Sequence, residues 1–169
     1  MKPLVHIAFA LVLSALQAAL LRWAGGGAFS LLLPVACVVY LAIHGGNVEG
    51  SVGAAGVGYV MDLTTGTTKG LMTFLSVAAF LVVRVVQSSV DVRGRVGFAA
   101  LTGLTTFLVS FGALTLTLVA SPPEVAPGIR LLPRMLVEAA LTGAISPLVL
   151  EGMKRVDGLF RREEAGLLR

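Results

Sequence analysis

The sequence consists of long apolar blocks separated by short polar connections. The blocks cover about residues 4–23, 29–43, 46–63, 70–86, 96–120 and 131–153. An α-helix needs about 20 apolar residues to cross a hydrocarbon core about 30 Å thick. The pattern therefore predicts six membrane-spanning helices in a transmembrane domain of residues 1–153, followed by a basic tail of residues 154–169. The alternative is a five-span arrangement in which the weak second or third block is re-entrant.

The composition supports the membrane interpretation. The 169-residue chain is 56% hydrophobic and only 13% charged, whereas soluble domains carry about 25% charged residues. The first apolar block is longer than the core of a signal peptide and ends at Arg22-Trp23, a basic and aromatic boundary typical of a retained span. The predicted fold class is an all-α integral membrane protein, a six-transmembrane-helix bundle.

The basic residues predict the orientation of the chain. With six spans, nine Lys and Arg residues lie on the side of the termini and four on the other side. Cytoplasmic connections carry the excess of basic residues, so we expect a multi-pass protein of the bacterial cytoplasmic membrane with both termini in the cytoplasm. The net charge of +4 comes from scattered residues, without the basic stripe of a nucleic-acid surface. No nucleic-acid partner is therefore predicted.

The sequence offers little catalytic chemistry. Cys37 is the single cysteine, and His6 and His44 lie far apart at predicted span ends, where an interfacial position is expected. No phosphate-binding loop, zinc-protease motif or nucleophile elbow occurs. We predict no enzymatic activity, no catalytic residues, no cofactor and no metal site. The predicted functional surface is a contact with membrane lipid and protein partners.

Small residues form a ridge on the third span. Gly46, Gly50, Ala54 and Gly58 recur every four residues, and Asp62 is the next in this series. This spacing keeps them on one face of a helix, and small residues let membrane helices approach closely. The ridge is predicted to seat a neighbouring helix, either from this chain or from a partner.

Asp62 is followed by a polar, glycine-containing turn. The residues after it read LTTGTTKG, with glycines at Gly66 and Gly70, before the fourth span begins. Such a turn suits hydrogen bonds from backbone N–H groups to a carboxylate. We expect Asp62 to accept bonds from the turn or to cap the helix that starts near Gly70. A direct partner contact and a purely structural turn both remain open.

The sixth span carries polar residues at four-residue spacing, namely Arg134, Glu138, Thr142 and Ser146. A buried acid is costly in a membrane, so Glu138 is predicted to face the bundle interior or a cavity, with Arg134 as its partner. The fifth span adds three hydroxyl groups, which are expected to bond either across to this face or back to their own helix. They belong to Thr102, Thr106 and Ser110.

The motif around Asp62 resembles the rod shape-determining MreD family. Proteins of that family are often written G-x-x-x-D-L-x-S-G-x-x-x-G before an apolar span, and this chain has Gly58, Asp62-Leu63, Thr65, Gly66 and Gly70. Leu33-Pro34 at the opening of the second span is similar to the proline-led second span of the family. Thr65 replaces the common serine of the motif, and Val35 and Lys69 also depart from the family pattern.

The resemblance implies a non-enzymatic scaffold of the bacterial cell-elongation complex, which builds peptidoglycan in rod-shaped cells. Its expected partner is an MreC-like single-span wall protein, and through it the peptidoglycan synthase complex. The family is similar in fold to the substrate-binding subunits of energy-coupling-factor vitamin transporters. Such a transporter subunit is the alternative function, and it would need a polar, aromatic-lined pocket near the outer face.

Overall fold

The computed structural model describes residues 2–23, 31–65, 69–89, 94–120 and 131–166. Within these ranges every regular element is a helix. The helices are α1 (Lys2–Trp23), α2 (Leu33–His44), α3 (Asn47–Thr65), α4 (Leu71–Ser89), α5 (Arg95–Ala120) and α6 (Leu132–Gly166). Each of the six apolar blocks of the sequence therefore forms a helix.

The helices run alternately up and down the bundle. One cavity is bordered by the end of α1, the start of α2, the end of α3, the start of α4, the end of α5 and the start of α6. We call this the Asp62 end. At the opposite end, here the Asp157 end, His6 of α1 and Tyr40 of α2 both contact Asp157 of α6. The short α2 therefore runs from one end of the bundle to the other.

Three helices are long and apolar enough to cross a membrane, over Leu71–Ser88, Arg95–Val119 and Leu132–Gly158, within the residues described. The apolar runs of α1 and α2 are shorter, at Val5–Ala19 and Leu33–His44. Helix α3 has sufficient length but lower hydropathy, because glycines replace larger apolar residues and Glu49 and Asp62 are charged. The structure thus supports membrane character, and among the described residues length and composition identify three candidate spans.

Helix α2 lies at the centre of the bundle. It contacts each of the five other helices, and ten of its 12 residues, Leu33 to Ala42, are buried. Its sequence is apolar on all sides, as expected for a helix that is surrounded by others. At about 1.5 Å per residue it is only about 18 Å long, and both of its ends form hydrogen bonds with other helices.

The N-terminus of α2 is capped by side chains from α1 and α6. The N–H of Leu33 donates to Gln17 Oε1 at 3.1 Å, and the N–H of Leu32 donates to Thr142 Oγ1 at 3.3 Å. The first N–H groups of a helix have no partner within the helix, and Pro34 has no N–H at all. The two side chains therefore satisfy donors that would otherwise be left inside the bundle.

The C-terminus of α2 is held by α4. Arg84 donates from Nη1 to the carbonyl oxygens of Ala42 at 3.2 Å and Gly45 at 2.7 Å. The last carbonyl groups of a helix also lack partners within it, and a cation at this end is favoured by the helix dipole. Helix α2 is thus fixed at both ends by polar groups from three neighbouring helices.

Helices α5 and α6 approach each other closely through small residues. A Cβ on Gly143 would lie 2.9 Å from the carbonyl oxygen of Ala99 and 3.3 Å from Cα of Gly103. A Cβ on Gly103 would in turn lie 3.2 Å from the carbonyl oxygen of Ala139. Small residues at four-residue spacing on both helices therefore bring the two backbones together.

Two helices differ in extent from the apolar blocks that predict them. Helix α6 continues past the predicted span end into the tail and ends at Gly166, and α2 begins at Leu33 rather than near residue 29. Pro147 lies inside α6 and cannot donate to the carbonyl of Gly143. The hydroxyl of Ser146 donates to that carbonyl at 2.8 Å instead, which is the usual way in which a hydroxyl compensates for a proline in a membrane helix.

Candidate functional site

The carboxylate of Asp62 joins the last turn of α3 to the first turn of α4. It accepts the backbone N–H groups of Gly70 at 3.1 Å, Met72 at 2.8 Å and Thr73 at 3.1 Å. It also accepts the hydroxyl of Thr73 at 2.6 Å. Asp62 itself is buried. This arrangement confirms the prediction that Asp62 caps the helix that follows the turn.

The sequence explains why the cap comes from another helix. Gly70 immediately precedes α4 and has φ +90°, a backbone conformation that side chains disfavour. Since glycine has no side chain, it cannot supply the oxygen that an N-cap residue usually provides. Asp62 supplies this oxygen from α3, and its negative charge suits the N-terminal end of the helix dipole.

The glycine ridge of α3 packs against α4 of the same chain. A Cβ on Gly58 would lie 2.6 Å from Cα of Thr73, and a Cβ on Gly50 would lie 2.7 Å from the ring of Phe80. Ala54 between them is completely buried. The ridge thus seats an intramolecular helix, and a partner helix would have to contact another face.

Two glycines outside the buried part of the ridge, Gly46 at its start and Gly70 in the following turn, have different surroundings. Gly46 is exposed, and a Cβ added to it would meet no described atom within 4 Å. Gly70 belongs to the turn, and its N–H donates to Asp62. The predicted site residue Gly66 lies outside the described residues. The part of the motif that the structure describes therefore forms one unit, made of the Asp62 cap and the close α3–α4 contact.

The polar face of α6 points partly into the bundle. Glu138 is 8% exposed, and Thr142 and Ser146 are completely buried. Arg134, one turn earlier, is exposed at the start of the helix. The inward position of Glu138 agrees with its prediction from the sequence, whereas its pairing with Arg134 stays a prediction.

Of the two alternatives for the hydroxyl groups of α5, the described part of the protein shows the bond back to the same helix, and it does so for Thr106. Thr106 donates back to the carbonyl of Thr102 on its own helix at 2.9 Å. The hydroxyl oxygens of Thr102 and Ser110 are buried and have no hydrogen-bond partner in the described part of the protein. Ser110 is 8% exposed and borders the cavity at the Asp62 end.

The cavity at the Asp62 end has a volume of about 460 Å³ and is partly open. It lies among all six helices and next to the Asp62 cap, since Thr64 and Met72 line it. Apolar residues form most of its wall. Its polar groups come from Ser14, Gln17, Thr64, Thr65, Ser110, Thr117 and Glu138. A cavity of this size and character is typical of small-molecule sites.

A polar cluster at the Asp157 end was not foreseen from the sequence. His6 Nε2 lies 3.0 Å from one carboxylate oxygen of Asp157, and the hydroxyl of Tyr40 donates to the other. His44 stacks on Tyr40 with a ring distance of 4.5 Å. His6 is buried among the helices at this end of the bundle, and its position relative to the membrane interface stays a prediction. The signal that could have revealed the cluster is the presence of polar residues on the first and second blocks and just beyond the sixth block, all at the same end of the predicted bundle.

Within the described residues, no group of three or more His, Cys, Asp or Glu side chains could hold a metal ion. Comparisons with protein-family models, with curated proteins and with solved structures find no match to this chain. The class of protein is therefore defined by its own structure. In the part that the structure describes, it is an all-helical protein with helices long and apolar enough to cross a membrane, and a carboxylate cap joins two of these helices.

Proposed function

We propose that this chain is a non-enzymatic membrane scaffold of the bacterial cell-elongation complex, similar to proteins of the MreD family. The observation that carries the proposal is the geometry of the motif on which the resemblance rests. Gly58 permits the close α3–α4 contact, and Asp62 caps α4 beyond Gly70. A rigid joint of this kind suits a protein whose task is to hold a partner in a fixed position.

The proposed layout has six spans with both termini in the cytoplasm, in an arrangement like that of the energy-coupling-factor substrate-binding subunits. The up-and-down course of the six helices supports it, because α2 runs between the two ends of the bundle. The Asp62 end then faces the outside, and the Asp157 end faces the cytoplasm. The polar cap and the cavity lie at the outer side in this layout.

The proposed partner is an MreC-like single-span wall protein, which would connect the scaffold to the peptidoglycan synthase complex. Because α4 covers the glycine ridge, the partner helix is expected on an outer face of the bundle. Outward-facing large apolar side chains on α3 and α4 include Tyr59, Leu63 and Phe74. They lie beside the Asp62 cap and the close α3–α4 contact, which would therefore set the positions of these side chains.

The test is deletion of the gene in its native bacterium, followed by restoration with variants. We expect cells that lack the chain to lose their rod shape and the unaltered gene to restore it. Gly58→Leu, which separates α3 from α4, should fail to restore shape and should reduce recovery of the MreC-like protein with the tagged chain. Gly158→Leu is the matched control, since nothing lies within 4 Å of its Cβ position.

Two results would contradict the scaffold function. One is a rod-shaped deletion strain. The other is recovery of the tagged chain with ATP-binding-cassette subunits in place of a single-span wall protein. The amount of each variant in the membrane is measured alongside, so that a loss of shape caused by degradation is distinguished from a loss of partner binding.

The second candidate function is a substrate-binding subunit of an energy-coupling-factor vitamin transporter. The cavity of about 460 Å³ favours it, because such a subunit must enclose a small molecule. However, no aromatic residue is among the described residues that line this cavity. Recovery of a bound vitamin with the purified chain would favour this function over the scaffold.

A further inference from the structure

Most hydroxyl groups that line the cavity at the Asp62 end donate to backbone carbonyl groups of their own helices. These hydrogen bonds, with lengths of 2.7 to 3.1 Å, join Ser14 to Ala10, Thr64 and Thr65 to Met61, and Thr117 to Ala113. Such back-bonding is common for hydroxyl groups in helices. Because these donors already have acceptors, covering them with an apolar molecule costs no hydrogen bond.

The other polar side chains of the wall do not require a polar ligand. Gln17 Oε1 accepts the N–H of Leu33 at 3.1 Å, and Glu138 interacts with another group of the protein. The hydroxyl oxygen of Ser110 is buried, so it presents no surface to a molecule in the cavity. The described residues that line the cavity include no Lys, Arg, Phe, Tyr or Trp. The wall therefore offers a ligand mainly aliphatic hydrocarbon.

The exposure of the lining residues locates the mouth and the floor of the cavity. Ala18, Thr64 and Thr65 are exposed and lie near the ends of α1 and α3, so they form the mouth. Met61 of α3 and Val109 of α5 are buried, so they form the floor. Polar groups at the mouth and apolar side chains at the floor suit a molecule that enters with its apolar end first.

We infer that the cavity binds the hydrocarbon chain of an amphiphile, with the end of the chain against Met61 and Val109 and the polar head at the mouth. The volume of about 460 Å³ lies in the range of small-molecule sites. Water is a poor occupant, because a buried water molecule needs about two to four polar partners. The same chain chemistry is found in the phospholipids of a bilayer and in single-chain amphiphiles such as fatty acids.

The test is photo-crosslinking of the purified full chain in vesicles of phosphatidylethanolamine and phosphatidylglycerol. Two phospholipid probes carry a diazirine on one acyl chain, either at its methyl end or next to its carbonyl group. Mass spectrometry maps each insertion to a single residue. We expect the methyl-end diazirine to insert at Met61 and Val109, and the carbonyl-end diazirine at Thr64 and Thr65. Leu108, which is 45% exposed beside Val109, is the internal reference for ordinary contact with bilayer lipid.

One pair of variants tests whether the chain lies inside the cavity. Ala113 lies on α5 one turn from Val109 and one turn from Thr117, and all three line the cavity. Ala113→Leu fills the room of about three methylene groups, each of which favours binding by about fourfold. We therefore expect insertion at Val109, relative to Leu108, to fall by at least about tenfold. Ala100→Leu, at an exposed position of the same helix, should leave this ratio unchanged.

A fatty acid with the same methyl-end diazirine distinguishes the two sources of the chain. Insertion at Val109 from the phospholipid probe assigns the site to a bilayer lipid, whereas insertion from the fatty acid alone assigns it to a single-chain amphiphile.

Three results overturn the inference. They are no insertion at Met61 or Val109 from either methyl-end probe, equal insertion at Val109 from the two phospholipid probes, and an equal ratio in Ala113→Leu and Ala100→Leu. The comparison of the two diazirine positions uses the unaltered chain, so it decides the question even if Ala113→Leu fails to fold. Since purified protein suffices, the result is independent of the scaffold function.

Discussion

At the scale of single residues, the carboxylate of Asp62 links the end of α3 to the start of α4. One carboxylate satisfies three backbone N–H groups and a hydroxyl across the α3–α4 connection. A local cap at the preceding residue would normally satisfy one such N–H group. Asp62 does more because it approaches the start of α4 from a different helix.

Replacement of Asp62 by alanine is expected to lower the free energy of unfolding by about 2–3 kcal/mol, because several N–H groups lose their acceptor at once. The free energy of unfolding of Asp62→Asn should lie between those of the original chain and of Asp62→Ala. The asparagine amide retains one acceptor oxygen, but its NH2 group faces the backbone N–H donors of α4. Unfolding by denaturant in detergent measures both. Glu49→Ala, at an exposed position in the first turn of α3, should change stability little, and an equal loss in both variants would refute the capping role.

The Asp62 cap could be predicted from the sequence, whereas the caps of α2 could not. Asp62 and Gly70 are eight residues apart, so the acid, the turn and the following helix are visible in one short stretch. Thr142 and Leu32 are separated by 110 residues, and nothing in the period of an apolar block specifies which helices become neighbours. The close contact of Gly103 with Gly143 could not be predicted for the same reason. The chain has 20 glycines, and their spacing does not indicate which of them pack against each other.

At the scale of elements, α2 depends on its neighbours for the hydrogen bonds at its ends. Arg84→Met keeps most of the apolar stem but removes the donors to Ala42 and Gly45. We expect the free energy of unfolding to fall by about 1.5–3 kcal/mol, the usual range for hydrogen bonds to a charged group. We also expect faster hydrogen exchange of the amides at the α2–α3 junction. Arg84→Lys should recover part of the loss, because an ammonium group can still donate to one carbonyl.

The exposed Arg155 provides the control for Arg84. Arg155→Met removes the same charge from α6 and should leave both stability and exchange at the α2–α3 junction unchanged. If the two methionine variants behave alike, then the effect of Arg84 comes from net charge and not from the cap.

The α5–α6 contact is limited by the size of Gly143. Gly143→Val places a side chain where the Cβ alone would lie 2.9 Å from the carbonyl oxygen of Ala99. We expect the free energy of unfolding to fall by about 1–3 kcal/mol, because the added side chain forces the two helix backbones apart. Gly158→Val has open space around its Cβ position and should unfold at the same denaturant concentration as the original chain. Equal midpoints for both variants would contradict the close packing of α5 on α6.

At the scale of the whole molecule, the two ends of the bundle have different characters. The Asp62 end holds the cap and the partly open cavity. The Asp157 end holds the His6–Tyr40–Asp157 cluster, which ties α1, α2 and α6 together, and the Arg84 contacts, which tie α4 to α2. Polar side chains therefore connect helices mainly at the ends, while small and apolar residues pack the centre. This division suits a bundle whose outer surface faces lipid.

The proposed six-span layout assigns each end to one side of the membrane, and single cysteines can test it. The native Cys37 is completely buried, so it should not react with a maleimide that cannot cross membranes. In intact cells we expect Lys69→Cys, at the exposed α3–α4 turn, to react. Gly46→Cys, at the exposed α2–α3 connection, should react only after the membrane is opened, and so should Gly158→Cys. Reaction of Gly46→Cys in intact cells would instead place both ends of α3 outside and favour the re-entrant, five-span arrangement.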